Sequence, residues 1–160
     1  MSQINAQIIA PPGPIDLDIR PGEAAVALPE GFDAGLYFIG RIRTPWTERG
    51  SCPRRGDAED GPLCTLEVDE RWAQALTGLE GCPRIQVLYW MDRARRDLVL
   101  QSPRSDGPTR GTFALRSPVR PNSIASSVVR LMGVEGLRVS VRGLDCLDGT
   151  PLLDIKVHHG

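Results

Sequence analysis

The residues best suited to chemistry lie in RSPVRPN (116–122), where two arginines alternate with two prolines. Proline fixes φ and lacks a backbone donor, so the stretch predicts a rigid loop and excludes a helix interior or a central strand. Arg116 and Arg120 offer planar, permanently charged donors that suit carboxylates and phosphates. Asn122 can bond to its own backbone and end the turn. The pattern predicts an anion-binding loop or, as the alternative, an arginine-containing cap on the fold.

A second candidate is LDCLDGTPLLDI (144–155), which places Asp145 and Asp148 in one short segment. Two carboxylates this close in the chain can hold ribose hydroxyls or a cationic ligand. Asp148-Gly149 is also typical of a hairpin turn, which is the simpler interpretation. The segment therefore predicts either an acidic binding loop or a plain turn between two strands.

Two further segments carry arginine. In RTPWTERGSCPRRG (43–56), Trp46 can stack on a ring, and Arg54 and Arg55 can meet phosphate. MDRARRD (91–97) follows an apolar run as an exit loop. Residues 84–120 hold eight arginines against three acids, an asymmetry that permits a phosphate-bearing partner. The alternative is a general replacement of lysine, because 18 of the 19 basic residues are arginine.

Several classes of site and protein are not supported by the sequence. No GxGxxG follows a strand, and neither GxxxxGK[ST] nor GxSxG occurs, so Rossmann, P-loop and nucleophile-elbow chemistry are not predicted. The four cysteines form no CxxC pair and are expected to be reduced, and the only histidines are His158 and His159, so no metal is predicted. The chain has neither an apolar run of about 20 residues nor a signal-like N-terminus, which predicts a cytoplasmic protein without a membrane partner.

The periodicity of the chain predicts a mainly β fold, a small closed antiparallel β-barrel with one or two short helices and an N-terminal arm. The arm is residues 1–33, proline-rich, with a short edge strand at 15–19, and the barrel is residues 34–160. Asp69 is expected to cap a helix over residues 69–81. The predicted strands are 36–43, 63–68, 85–91, 97–101, 112–115, 126–131, 137–143 and 152–157, with turns at Gly133, Gly136 and Asp148-Gly149.

Four segments, taken in order, resemble the motifs of the TrmO or TsaA-like family. They are IGRIRTPW (39–46), YWMDRARRDLVLQSP (89–103), GTFALRSPVRPNSI (111–124) and GLDCLDGTPLLDIK (143–156). The resemblance covers about residues 36–157. It implies an S-adenosylmethionine-dependent tRNA methyltransferase that modifies N6 of threonylcarbamoyladenosine at position 37, in the anticodon loop. It also implies a β-barrel that binds the cofactor outside any Rossmann fold and forms a homodimer.

By motif position, the resemblance implies a set of site residues. Catalytic roles are implied for Arg116, Asp145 and Asp148, with one of the acids assisting deprotonation of the acceptor nitrogen. The implied substrate contacts are Arg120, Asn122, Arg96 and Arg104. The implied cofactor contacts are Pro53, Arg54, Gly56, Asp92, Arg93, Arg116, Ser126, Asp145, Leu147, Asp148, Gly149 and Thr150.

The chain departs from the family pattern just after the arginine loop. Ser123 stands where the family usually has proline, and Ala125 where it has glycine. If the backbone there required a positive φ, alanine would be penalised by about 1 kcal/mol, and the loop would be altered. Two alternatives therefore stay open: a divergent barrel that binds S-adenosylmethionine or a nucleotide with another acceptor, and a noncatalytic RNA-binding module.

Overall fold

The computed structural model describes residues 18–104 and 107–160, and the first three residues of the predicted 15–19 edge strand lie outside these ranges. Within them the chain forms two compact units. One unit comprises the described residues up to Ala27 together with those of Asp92–Pro121, and the other comprises Leu28–Met91 with Asn122–Gly160. The strands, in chain order, are β1 (Ala24–Ala25), β2 (Gly40–Arg43), β3 (Cys64–Val68), β4 (Arg84–Trp90), β5 (Leu98–Gln101), β6 (Arg110–Gly111), β7 (Ile124–Glu135), β8 (Arg138–Arg142) and β9 (Thr150–Val157).

The second unit is a closed six-stranded barrel, which confirms the predicted fold class. Its strand order is β2-β3-β8-β7-β4-β9, with β9 pairing back onto β2, and every pair is antiparallel. Closure leaves no strand edge unpaired along the barrel wall. The alternation predicted for residues 137–143 is seen in β8, where Val139 and Val141 are fully buried in the core and Arg138 is exposed. The same inward face of the barrel carries Ile42, Leu66, Ile85, Val87, Val129 and Leu152.

The first unit is smaller and contains a three-stranded antiparallel sheet in the order β1-β5-β6. The Arg20 guanidinium donates to the carbonyls of Ser102 and Pro103, at 2.9 and 3.0 Å. Glu23 accepts from the Ser102 N–H at 2.9 Å. These bonds tie the residues around β1 to the end of β5. Strand β1 lies several residues after the position predicted for the edge strand.

The predicted helix over residues 69–81 is replaced by two 3₁₀ helices, Glu70–Leu76 and Leu79–Gly81. Asp69 caps the first as predicted, since its carboxylate accepts from the Arg71 N–H at 3.0 Å. Gly78 separates the two with a φ of +88°, a conformation that glycine adopts without strain. Leu76 is the one buried residue of these two segments, and Trp72 and Leu79 are partly buried against the core.

The predicted strand over residues 112–115 is wrong, because Thr112–Ala114 forms a 3₁₀ helix after the two-residue strand β6. The buried side chain in this segment is Thr112, whose hydroxyl donates to the Leu98 carbonyl at 2.7 Å and accepts from Gln101 at 2.8 Å. Phe113 is 81% exposed. A buried polar side chain, rather than an apolar one, therefore attaches this segment to β5.

Two turn predictions also need correction. Gly133 lies inside β7, where the register against β8 shifts between Leu131 and Gly133, and so forms an irregularity of the strand. Gly136 does make the turn between β7 and β8, with a φ of +59°. Asp148-Gly149 does not join a hairpin, since β9 pairs with β2 and β4 whereas β8 pairs with β3 and β7. The segment crosses the end of the barrel between non-neighbouring strands.

The predicted strand over residues 36–43 is shorter than expected and begins at Gly40.

The departures from the family pattern cause no backbone strain. Ala125 lies within β7, and no non-glycine residue in the described part of the chain has a positive φ. Ser123 is buried, and its carbonyl accepts from the Met91 N–H at 2.8 Å.

Candidate functional site

The acidic segment 145–150 is a rigid loop because its backbone and side chains bond to the end of β2. The Asp148 carboxylate accepts from the Thr44 N–H at 3.0 Å and lies 3.8 Å from an Arg43 guanidinium nitrogen. The Asp148 N–H donates to the Trp46 carbonyl at 2.7 Å. Asp148 therefore holds the loop in place, and its two carboxylate oxygens already have partners in the chain.

Further bonds within the same loop involve Thr150 and Gly149. The Thr150 hydroxyl donates to the Leu147 carbonyl at 2.7 Å, and the Gly149 N–H donates to the Ile42 carbonyl at 2.7 Å. The loop also contains Cys146, which is buried, and burial raises the pKa of its thiol to about 12. The thiol is protonated at neutral pH and is not a nucleophile. All four cysteines are free, as predicted.

Asp145 has a different environment from Asp148, because its partner is a buried phenol. The Tyr89 hydroxyl donates to Asp145 Oδ1 at 2.9 Å and lies 2.8 Å from Ser127 Oγ. Tyr89 is 2% exposed, and burial, followed by the charge of Asp145, raises the pKa of the phenol. Tyr89 therefore remains a neutral donor, and since its one proton goes to Asp145, the Ser127 hydroxyl donates to Tyr89. The network fixes the direction of the Asp145 carboxylate.

Sequence reasoning missed Tyr89 and Ser127. Tyr89 sits in the apolar run 85–91, which predicts only a buried strand. The available signal is its hydroxyl, because a buried tyrosine usually finds a hydrogen-bond partner. Which group that partner is depends on β4 meeting β7 and the 145–150 loop, and neither contact follows from local sequence.

The segment Pro53–Gly56 lies against the start of the acidic loop. A Cβ on Gly56 would sit 1.8 Å from the Gly143 carbonyl oxygen, so only glycine fits there. One residue before Pro53, Cys52 lies close enough to Asp145 that the acid's charge, after burial, raises the pKa of its thiol. The structure thus brings together two of the predicted cofactor segments, with Pro53 half-buried and Arg54 exposed.

Ser126, another predicted cofactor contact, is not part of this arrangement. Its hydroxyl accepts from Gln86 Nε2 at 2.8 Å. Adjacent residues of a strand face opposite sides of the sheet. Ser127 occupies the side of Tyr89 and Asp145, so Ser126 lies on the other face of β7. The exposed Asn122 lies just before this strand, and its carbonyl accepts from the Ile124 N–H at 2.7 Å.

The arginine loop lies in the first unit, and its arginines divide into two kinds. The Arg120 guanidinium donates to the carbonyls of Leu115 and Ser117, at 3.1 and 3.0 Å. Arg96 donates to the Pro121 carbonyl at 2.6 Å, and Gln101 to the Val119 carbonyl at 2.6 Å. Arg120 and Arg96, both predicted to contact the substrate, thus also donate hydrogen bonds that brace the loop.

Arg116 is the solvent-exposed arginine of this loop. It makes no hydrogen bond or ion pair to another residue of the described part of the chain. The bracing by Arg120, Arg96 and Gln101 orders the backbone that carries it. Of the remaining predicted contacts, Asp92 is half-buried, whereas Arg93 and Arg104 are exposed.

Replacing Tyr89 with phenylalanine is expected to lower the free energy of unfolding by about 1.5–3 kcal/mol, because Asp145 loses a donor and the Ser127 hydroxyl loses its acceptor. Urea denaturation of the purified variant measures the change. Tyr37→Phe is the matched control, since Tyr37 is 79% exposed and should change stability by less than about 0.5 kcal/mol. Equal stability of Tyr89→Phe and the unmodified protein would contradict the buried network.

Neither a metal cluster nor a membrane helix is found in the described ranges. No group of three or more histidine, cysteine, aspartate or glutamate residues there could hold a metal ion. None of the helices there has the length and apolarity needed to cross a membrane.

Comparison with known proteins gives a consistent family. A family model described as the tRNA-methyltransferase O N-terminal domain matches residues 41–159. The protein named "Probable S-adenosyl-L-methionine-binding protein VirR" from Rhizobium radiobacter is 57% identical over 138 residues, which are 86% of this chain and 78% of that protein. An S-adenosyl-L-methionine-binding protein of Archaeoglobus fulgidus is 40% identical over 121 residues, covering 76% of this chain and 86% of that one.

Comparison with solved structures gives the same family. The crystal structure of TrmO from Pseudomonas aeruginosa superposes with a TM-score of 0.64 at 34% identity and covers 80% of this chain. This chain spans 57% of that TrmO chain. With the family match extending over most of the sequence and including both the acidic loop and the arginine loop, the resemblance is confirmed, and the chain belongs to the family of the tRNA-methyltransferase O N-terminal domain.

Proposed function

We propose that this protein is an S-adenosylmethionine-dependent tRNA methyltransferase whose acceptor is N6 of threonylcarbamoyladenosine at position 37. The observation that carries the proposal is the match of residues 41–159 to the tRNA-methyltransferase O domain. Relatives named as S-adenosyl-L-methionine-binding proteins support the cofactor. The acceptor, the anticodon loop as the contact and the homodimer are proposals that rest on the resemblance, and a cytoplasmic location stays a prediction.

The barrel has features that suit the cofactor. The close approach of Gly56 to the Gly143 carbonyl leaves no room for a side chain and packs the 53–56 segment against the residues that precede Asp145. Gly143, which Gly56 approaches, precedes Asp145 by two residues in the chain. A carboxylate at this place is the right group to accept hydrogen bonds from ribose hydroxyls or an amino group. Pro53, Arg54, Gly56, Asp145 and Leu147 are the residues that we propose hold the cofactor in this unit.

When bound, S-adenosylmethionine supplies an electrophilic methyl group for an in-line displacement. Such a displacement depends strongly on the positioning of the two reactants. The Asp145 oxygen that Tyr89 does not bind has two alternative proposed roles: it binds the cofactor, or it accepts the proton of the acceptor nitrogen, which belongs to a urea-like group and is a poor nucleophile while protonated. Tyr89 binds Asp145 Oδ1 and thereby directs the carboxylate. Asp148 is the proposed loop anchor, since both its oxygens have partners in the chain.

Arg116 is the proposed contact for an anionic group of the tRNA, either a phosphate or the threonyl carboxylate. Guanidinium binds both groups with two parallel hydrogen bonds. Arg93 and Arg104, which are exposed, are proposed phosphate contacts, and their contribution should weaken as salt rises.

The test has two parts. Calorimetry with S-adenosylmethionine measures cofactor binding directly, and absence of binding would contradict the proposed function and favour the noncatalytic RNA-binding alternative. Mass spectrometry of tRNA nucleosides, from a deletion strain and from the strain complemented with this chain, then identifies the acceptor. We expect methylated threonylcarbamoyladenosine to be lost on deletion and restored on complementation. Cofactor binding with an unchanged tRNA nucleoside profile would favour a barrel with another acceptor.

A further inference from the structure

Two aromatic rings are exposed on the barrel unit just before β2. Tyr37 is 79% exposed and its neighbour Phe38 is 46% exposed. In a regular strand, neighbouring residues face opposite sides, and one of the two rings would be buried. Because β2 begins at Gly40, residues 37 and 38 lie ahead of the strand and both rings reach the surface.

Each ring is held by a neighbour. The Tyr37 and Trp72 ring centroids are 6.3 Å apart with an interplanar angle of 44°, a common geometry for packed aromatic side chains. The guanidinium carbon of Arg41 lies 5.6 Å from the centroid of Phe38, within the range of a cation–π contact. The rings are therefore positioned by contacts while large parts of their surfaces stay open.

Arg41 connects these rings to the acidic loop. The guanidinium that lies over Phe38 also donates to the Gly149 carbonyl at 3.2 Å. Gly149 follows Asp148 in the loop that the proposed function assigns to the active site. The aromatic pair therefore lies next to that loop, within the same unit.

Single exposed apolar residues are common and need no explanation, but adjacent rings with a cation form a recognisable arrangement. Surfaces that bind single-stranded nucleic acid combine aromatic rings, on which bases stack, with positive charge that attracts the backbone. Proteins that bind RNA loops similarly stack the unpaired bases on aromatic or arginine side chains. Tyr37, Phe38 and Arg41 supply these groups.

We propose that Tyr37 and Phe38 form a stacking surface for unpaired bases of an RNA loop, with Arg41 as the adjoining cation. The choice of RNA as the partner rests on the proposed function. In a tRNA substrate, the bases concerned would be those of the loop that is bound beside the acidic segment. The surface would add affinity for the RNA without taking part in the chemistry.

The test uses the full chain and two fluorescently labelled probes, a single-stranded oligoribonucleotide and an abasic oligonucleotide of the same length. Fluorescence anisotropy should show that Tyr37→Ala and Phe38→Ala each weaken binding of the first probe by about tenfold or more. Phe38→Tyr should retain binding, whereas Phe38→Leu should behave like Phe38→Ala, because a ring rather than an apolar side chain is required. Binding of the abasic probe should be weak and equal for all variants. Leu63→Ala, at another exposed apolar residue, is the control.

The results separate this inference from the proposed function. Ring-dependent oligonucleotide binding by a protein that leaves threonylcarbamoyladenosine unmethylated would support the inference and contradict the proposed function. Equal binding by all variants, or no binding by the unmodified protein, would overturn the inference. Sedimentation of the Tyr37→Ala/Phe38→Ala double variant completes the test. If this variant loses self-association while oligonucleotide binding is unchanged, the rings form a protein interface and the stacking surface is excluded.

Discussion

Arg116→Ala should lower kcat/KM for tRNA by on the order of 100-fold while leaving the fold intact. Arg116 is the exposed arginine of a loop that other residues brace, so its loss removes the proposed anion contact and no bond within the described chain. A site that depends on such an arginine loses the interaction with the developing or bound anion, which water replaces poorly. Steady-state methylation of tRNA measures the effect, and thermal unfolding checks the fold.

Two matched variants sharpen this prediction. Arg110→Ala makes the same change of charge at an exposed residue of the same unit and should leave kcat/KM within about twofold, since a single exposed charge contributes little. Arg120→Ala should instead destabilise the protein by about 1–3 kcal/mol, because the carbonyls of Leu115 and Ser117 lose their donor. Full activity of Arg116→Ala, or an equal loss in Arg110→Ala, would contradict the proposed role of Arg116.

Gly56→Ala is expected to have the second large effect, on stability and on cofactor binding together. The added Cβ would lie 1.8 Å from the Gly143 carbonyl oxygen, and backbone atoms cannot yield as the end of a flexible side chain can. Overpacking of this kind costs about 1–3 kcal/mol. Relief requires the 52–56 segment to move away from residue 143, which separates two of the proposed cofactor segments. Affinity for S-adenosylmethionine should therefore fall by about tenfold or more, a change of about 1.4 kcal/mol.

Gly50→Ala is the control for this variant. Gly50 lies in the same stretch of chain, in a 3₁₀ turn at Arg49–Ser51, and a Cβ there would meet nothing within 4 Å. Its stability should change by less than about 0.5 kcal/mol and its affinity not at all. Urea denaturation and calorimetry measure both quantities. Unchanged binding of S-adenosylmethionine by Gly56→Ala would show that the packing of residues 56 and 143 does not shape the cofactor site.

The strands of the barrel could be predicted from the sequence because their signals are local. Alternation of apolar and polar residues in LRVSVRG reports a strand with one buried face, and the structure buries Val139 and Val141 as the pattern requires. The same holds for the apolar run that becomes β4. Asp69 as a cap and Gly136 as a turn residue depend on their own backbone geometry, and both are confirmed. The antiparallel closed barrel followed as the way to remove exposed edges, whereas the order of its strands came only from the structure.

The roles of individual polar residues were not available from the sequence, because they depend on contacts between distant segments. Arg116 and Arg120 look equivalent in RSPVRPN, yet Arg120 binds carbonyls of its own loop and Arg116 is exposed. Asp145 and Asp148 look equivalent in LDCLDG, yet Asp145 accepts a hydrogen bond from Tyr89 whereas Asp148 bonds to residues that follow β2. Thr112 rather than Phe113 is the buried residue of its segment, since Gln101 and the Leu98 carbonyl supply its partners.

The sequence by itself determined the family, through the resemblance of four motifs. It also determined the mainly β architecture and the short list of segments that could carry chemistry, since these depend on residue type, spacing and local periodicity. Only the tertiary structure decided which charged side chain in each segment is hydrogen-bonded within the protein and which is exposed to solvent. It also revealed Tyr89 as the partner of Asp145 and joined Gly56 to Gly143, residues separated by more than fifty positions in the chain. The physical reason is that a hydrogen bond or a close backbone contact depends on distance in space, which local patterns do not encode.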